Sequence, residues 1–233
     1  TQAMKQHELN WSYMMDMFAE GIGEVVRMRD YLRGKVAGLQ SPYDTWLYRK
    51  GFTEPVFEVR LEHAYHHLNW TWGCRHATLE RAMKCENRDC RNLGKFPLAF
   101  RELLPDKPRR TVEVHNQTVL HFESILLGLD EVVRIGDELH LGLCAHFDEE
   151  TCPRRWDRRA AKVAPLTERR LADLLRRLLG AMNFAWNVRR LPVERVHTLS
   201  ETAIRHRCCY PAEFMDFLTK RHYRRRNTVR KYL

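Results

Sequence analysis

Val132-Val133-Arg134-Ile135-Gly136-Asp137-Glu138-Leu139-His140-Leu141-Gly142-Leu143-Cys144-Ala145-His146-Phe147 is the stretch on which the fold class turns. Leu139, Leu141 and Leu143 alternate with His140, Gly142 and Cys144, and Gly136-Asp137 is a two-residue turn signal, so the spacing predicts a β-hairpin. Thr111-Val112-Glu113-Val114 alternates in the same way, while residues 118–129 fit strand or helix equally. The segment at about 111–147 therefore reads as a small antiparallel β insertion, set off by Pro105 and Pro108 before it.

Upstream the period is helical. Leu9, Met14, Phe18, Ile22, Val25, Met28 and Leu32 recur every three or four residues, which predicts one or two amphipathic helices with a break at Gly21 and Gly23. Thr53-Glu54-Pro55 reads as a helix start, with Thr as N-cap and Pro in the first turn. The helix to Trp72 carries an apolar face of Phe57, Leu61, Ala64, Tyr65, Leu68 and Trp72. Arg60, His63 and His67 fall on a flank away from that face, with His66 nearly opposite it.

Downstream lies the charge. Residues 151–233 hold 21 Lys+Arg against 7 Asp+Glu, whereas residues 1–150 hold 19 against 23, within a chain of formal net charge +10. Such asymmetry is the electrostatic footprint of a nucleic-acid surface, because each cation set against a phosphate releases counterions. The stripe Leu171, Leu174, Leu175, Leu178, Met182 and Trp186 predicts a helix that Pro192 ends, with Arg169, Arg170, Arg176 and Arg177 mostly off the stripe. Beyond it, two short helices flank a turn at Cys208-Cys209-Tyr210-Pro211, and the second presents Lys220, Arg221, Arg224, Arg225 and Arg226.

The overall class expected is thus α+β, predominantly α-helical. It comprises a helical part at 1–106, a β subdomain at 107–150 and a basic helical part at 151–233. A chain of 233 residues that is 44% apolar and 30% charged is globular rather than disordered. No apolar run is long enough for a membrane helix and no export signal is evident, so a cytoplasmic protein without a membrane partner is expected. Seven cysteines without such a signal read as buried thiols or metal ligands rather than disulfides. No internal repeat is evident.

Cys74-x-His76 followed by Cys85 and Cys90 brings four soft or borderline ligands within 17 residues, a mix suited to a structural zinc ion. Metal binding would order the polar stretch 84–96 where no core is available. A rival set is His140, Cys144 and His146 from one strand face with Cys152. His63 and His67 would make half of a metal site, needing a third ligand from elsewhere. Phosphate-cradling glycine loops and the common hydrolase signatures are missing.

Two short resemblances touch function. Leu199-Ser200-Glu201-Thr202-Ala203, then Pro211-Ala212-Glu213-Phe214 and Lys220-Arg221, resembles the second helix-turn-helix of AraC-type regulators over about 25 residues. The resemblance implies that Glu213, Met215, Asp216 and Thr219 face base edges while Lys220 and Arg221 hold phosphates. It departs at Arg207, where that family has Gly in the turn. Arg60 with His66 or His67 is similar to the Arg-x4–6-His spacing of HEPN-type ribonucleases, in which the pair acts on the 2′-hydroxyl and the scissile phosphate. Leu61 departs from the polar residue usual after that Arg.

The function expected from these readings is non-enzymatic binding of DNA or RNA through the basic part. A DNA-binding regulator would act that way, as would a subunit of a larger nucleoprotein complex such as a prokaryotic CRISPR or defence effector. The acidic N-terminal part would meet other protein subunits. The alternatives are a ribonuclease using Arg60 with His66 or His67, and a partner-binding scaffold without a nucleic-acid role.

Overall fold

The computed structural model describes residues 9–34, 51–78, 80, 119–148, 150 and 157–208. Four long helices dominate: α1 (Trp11–Leu32), α2 (Glu54–Gly73), α3 (Phe122–Cys144) and α4 (Glu168–Val188). A 3-10 turn (Arg158–Lys162) precedes α4, and the short helices α5 (Val193–His197) and α6 (Glu201–Arg207) follow it. Asn10, Thr167 and Ser200 cap α1, α4 and α6, each accepting from the backbone N–H three residues on.

There is no strand among the described residues, and the predicted hairpin is the second half of α3. The alternation at Leu139, Leu141 and Leu143 was misleading, because only Leu139 and Leu143, one turn apart, are fully buried. They continue the helical series Ile125, Leu129, Val132 and Ile135. Gly136 is a contact point and not a turn: a Cβ there would lie 2.5 Å from Ile22 Cδ1 of α1. Residues 111–118 lie outside the described residues.

α1 is likewise unbroken. A Cβ at Gly21 would come 3.0 Å from Leu68 Cγ and 3.2 Å from the Ala64 carbonyl oxygen, so the glycine admits α2 at close range. Around the bundle, neighbours run antiparallel. Tyr31 of α1 stacks on Phe52 just before α2, while the Asn10 N–H donates to Arg75 O just after it. Trp11 stacks on His146 beyond the end of α3, and Arg33 reaches Asp130 near its start. The Tyr65 hydroxyl donates to Leu179 O, linking α2 to α4. One continuous core joins all four helices. Each fully buried Leu in it, such as Leu61, Leu129 or Leu174, contributes about 1.5–3 kcal/mol.

The structure also exposes a duplication that the sequence reading passes over. Gly21-x-x-Glu24-Val25-Val26-Arg27-x-x-Asp30 of α1 recurs as Gly128-x-x-Glu131-Val132-Val133-Arg134-x-x-Asp137 of α3. Asn69-x-x-Trp72-x-x-Arg75 at the end of α2 recurs as Asn183-x-x-Trp186-x-x-Arg189 at the end of α4. The ends behave alike. Arg75 lies over the Trp72 ring at 4.0 Å and its Nε donates to Glu168, the first residue of α4, at 2.7 Å. Arg189 lies over Trp186 at 3.6 Å and its Nε donates to Glu54, the first residue of α2, at 2.5 Å. The Arg75 and Arg189 carbonyls accept from the N-cap residues Asn10 and His121. Two α-hairpins are thus latched reciprocally, with the α1 motif one turn further from its cap than the α3 motif.

Candidate functional site

The most polar part of the interior is the seam between α1 and α2. Arg60 is 2% exposed and donates from Nη1 to Glu24 Oε2 at 2.6 Å. The other Glu24 oxygen accepts from Arg27 at 2.7 Å and lies 3.3 Å from His63 Nδ1. His63 Nε2 meets His67 Nε2 at 3.0 Å, and His67 Nδ1 lies 3.1 Å from Glu20 Oε2. Helical spacing makes the seam possible, because Glu20 and Glu24 are one turn apart on α1, as His63 and His67 are on α2.

Burial pushes the Glu24 carboxyl up, but hydrogen bonds from His63 and Arg60 and the Arg60 charge outweigh it and bring its pKa to about 2. Glu24 is a buried, ionised counter-charge. The expected exposed histidine flank is therefore corrected: Arg60, His66 and His67 are buried, and His63 is the member with a third of its side chain open to solvent. α1 covers that flank, and Glu24 supplies the charge that lets it do so. Periodicity on α2 alone carries no signal of this, and the Glu20/Glu24 spacing on α1 does not by itself point to it. Arg60 holds Glu24 from inside the seam, and His66 packs edge-on against Trp70 and His67.

The sequence-derived zinc set divides. Cys74 is fully buried with its thiol toward the Thr71 carbonyl, and burial pushes its pKa up to about 12. His76 points outward to Glu168. Cys85 and Cys90 lie outside the described residues. In the rival set, His140 and Cys144 approach at 3.4 Å across one turn of α3. His146 turns away, stacked on Trp11 with its Nε2 3.0 Å from Leu166 O, and burial lowers its pKa. Cys152 lies outside the described residues. No group of three or more His, Cys, Asp or Glu among the described residues is arranged around a metal ion.

The basic residues of α4 sit on the surface beside α3. Arg170 pairs with Glu138 and Asp173, Arg176 with Asp173 at 3.6 Å, and Arg177 with Glu138 at 3.8 Å. Arg169 is exposed. Asn183 and Asn187 of α4 donate to the Cys208 and Arg207 carbonyls, which seats the end of α6 on α4. α6 covers the start of the segment compared with AraC-type regulators. The predicted second helix, with Lys220, Arg221, Arg224, Arg225 and Arg226, falls outside the described residues.

No protein family, no curated protein and no solved structure matches this chain. No described helix is long and apolar enough to cross a membrane.

Proposed function

We propose that this protein binds nucleic acid without cleaving it, through its basic C-terminal part, as a DNA-binding regulator or a subunit of a larger nucleoprotein complex. The observation that carries this reading is the segregation of charge. Residues 1–150 hold 19 Lys+Arg against 23 Asp+Glu, whereas residues 151–233 hold 21 against 7. Of the latter, residues 209–233 contribute 7 against 2. Backbone phosphates are the polyanion such a segment suits, and they supply affinity without sequence information.

The pairing of Arg170, Arg176 and Arg177 is compatible with this role. Exposed ion pairs are worth about 0–1 kcal/mol, so these side chains exchange a carboxylate for a phosphate at little cost. Arg169, with Arg158 and Lys162 just before α4, extends the exposed basic surface. The N-terminal residues 1–150, with 19 Lys+Arg against 23 Asp+Glu, suit contact with other protein subunits.

Binding of fluorescent duplex DNA, single-stranded DNA and RNA across a salt series tests the proposal. The expected result is a log–log salt slope of several units and a preference for one ligand. Arg169→Gln lowers that slope by about one. Weak, indiscriminate binding that vanishes near physiological salt would overturn the reading and assign the basic surface to an acidic protein.

A further inference from the structure

The arginines of α4 are not held by separate carboxylates. Glu138 of α3 accepts from Arg170 Nη2 with Oε1 and faces Arg177 Nη1 with Oε2 at 3.8 Å. Asp173 accepts from Arg170 Nη1 with Oδ2 at 3.2 Å and faces Arg176 Nη1 with Oδ1 at 3.6 Å. Each carboxylate thus gives its two oxygens to two different guanidiniums, and Arg170 belongs to both. Helical spacing produces the arrangement, because Asp173 lies three or four residues from Arg170, Arg176 and Arg177 on α4 while Glu138 reaches across from α3.

Three guanidinium charges set against two carboxylate charges leave the cluster positive. The Arg176 and Arg177 contacts are too long for hydrogen bonds, so they are electrostatic and adjustable. The Glu138, Arg170 and Arg177 side chains are 37%, 48% and 38% exposed, which leaves their pairing open to exchange with an anion from solution. A phosphodiester offers what Glu138 offers, one negative charge spread over two oxygens, and a guanidinium fork takes either. We propose that Glu138 stands in the position of a backbone phosphate, as a resident counter-ion that a nucleic acid displaces in order to engage Arg170 and Arg177. Asp173 does the same for Arg176. This inference rests on the nucleic-acid reading and adds to it the residue that limits its affinity.

The consequence is a brake on binding. Arg169, outside this network, neutralises a phosphate whose released counterions appear in full in the salt dependence. At Arg170 and Arg177 the displaced Glu138 carboxylate is left beside the bound strand, where it repels the phosphates and gathers cations of its own. These two arginines therefore contribute less to affinity and to the salt slope than their charge implies. A strand that presents several phosphates at once overcomes the carboxylate where an isolated anion does not.

Binding of the fluorescent oligonucleotides across the same salt series tests the proposal. Wild type is compared with Glu138→Gln and with Glu123→Gln, which removes an equal charge at the exposed start of α3. Helicity and thermal unfolding of both variants are first matched to wild type. Glu138→Gln is expected to bind about three- to tenfold more tightly than Glu123→Gln at low salt, as the release of exposed ion pairs allows, and to steepen the slope by about one. Arg170→Gln is expected to lower the slope by well under one in wild type and by about one in the Glu138→Gln background. Asp173→Asn is expected to shift affinity in the same direction as Glu138→Gln. Equal affinities and slopes in Glu138→Gln and Glu123→Gln would overturn the proposal while leaving the nucleic-acid reading in place. Failure of wild type and Glu138→Gln alike to bind any oligonucleotide would overturn that reading, and this inference with it.

Discussion

The two helical hairpins carry the same latch and fill their interiors differently. Aligned on Asn69 with Asn183 and on Arg75 with Arg189, Arg60 of α2 corresponds to Leu174 of α4, and His67 corresponds to Ala181. Leu174 is fully buried and Ala181 is nearly so, so an apolar interior suffices at these positions in the second hairpin. The first hairpin buries an arginine, a carboxylate and a histidine instead. Glu131, which matches Glu24 in the repeated motif, pairs with Arg134 on the surface. Buried ion pairs seldom out-stabilise the apolar residues that could replace them. The comparison teaches that the polar seam is not required by the architecture.

The largest expected effect comes from breaking the seam on one side. Arg60→Ala leaves the Glu24 carboxylate buried without its main cation and is expected to destabilise the fold by about 3–5 kcal/mol. Replacing both members, as Glu24→Leu with Arg60→Leu, puts an apolar pair in the seam and is expected to recover most of that loss. Urea denaturation of the two variants beside wild type decides it. A single substitution costing less than about 1 kcal/mol would mean the seam is solvated and the contrast between hairpins is superficial.

A smaller effect should appear in acid. The folded pKa of Glu24, about 2, lies below its ordinary value of 4.5, so its ionised form stabilises the fold above about pH 4.5. That contribution is lost as the pH falls through the folded value. Glu24→Gln is expected to flatten the dependence of stability on pH between about 4.5 and 2. Glu131→Gln, at the exposed counterpart, should change it less, since solvent screens that pair. Equal flattening by both would erase the distinction between the buried and exposed motifs.

The helical parts of the fold were legible where caps and periodicity agreed. Thr53-Glu54-Pro55 marks the start of α2, and the leucine stripe of 171–178 marks α4. α3 was not legible because its glycines mimic a hairpin turn. Gly128, Gly136 and Gly142 each receive a neighbour that a Cβ would meet at 2.5 Å, and close helix contact leaves the same residue in the sequence as a turn does. The seam was half legible. His63 and His67 share a face on periodicity alone, but their burial depends on which helix arrives there, and Glu20 and Glu24 were readable on α1 without pointing to it. The repeated latch was hidden because its few matching residues are spread over two helix ends and joined by tertiary contacts.

The smallest effects should come from the latches, and there the hairpins differ only in degree. Arg189 is 6% exposed and shares Glu54 with Arg190, whereas Arg75 is about a quarter exposed beside a Glu168 that is nearly half exposed. Arg189→Ala removes a stacked guanidinium, a hydrogen bond to the Trp186 carbonyl and a sheltered ion pair, for an expected loss of about 1–3 kcal/mol. Arg75→Ala removes the same set of contacts nearer to water and is expected to cost about 1 kcal/mol or less. If the latches act independently, the double variant loses the sum of the two within about 0.5 kcal/mol, as distant sites do. A loss well beyond the sum would mean that each latch holds the other's helix end in place, so that the two hairpins fold as one reciprocally closed unit.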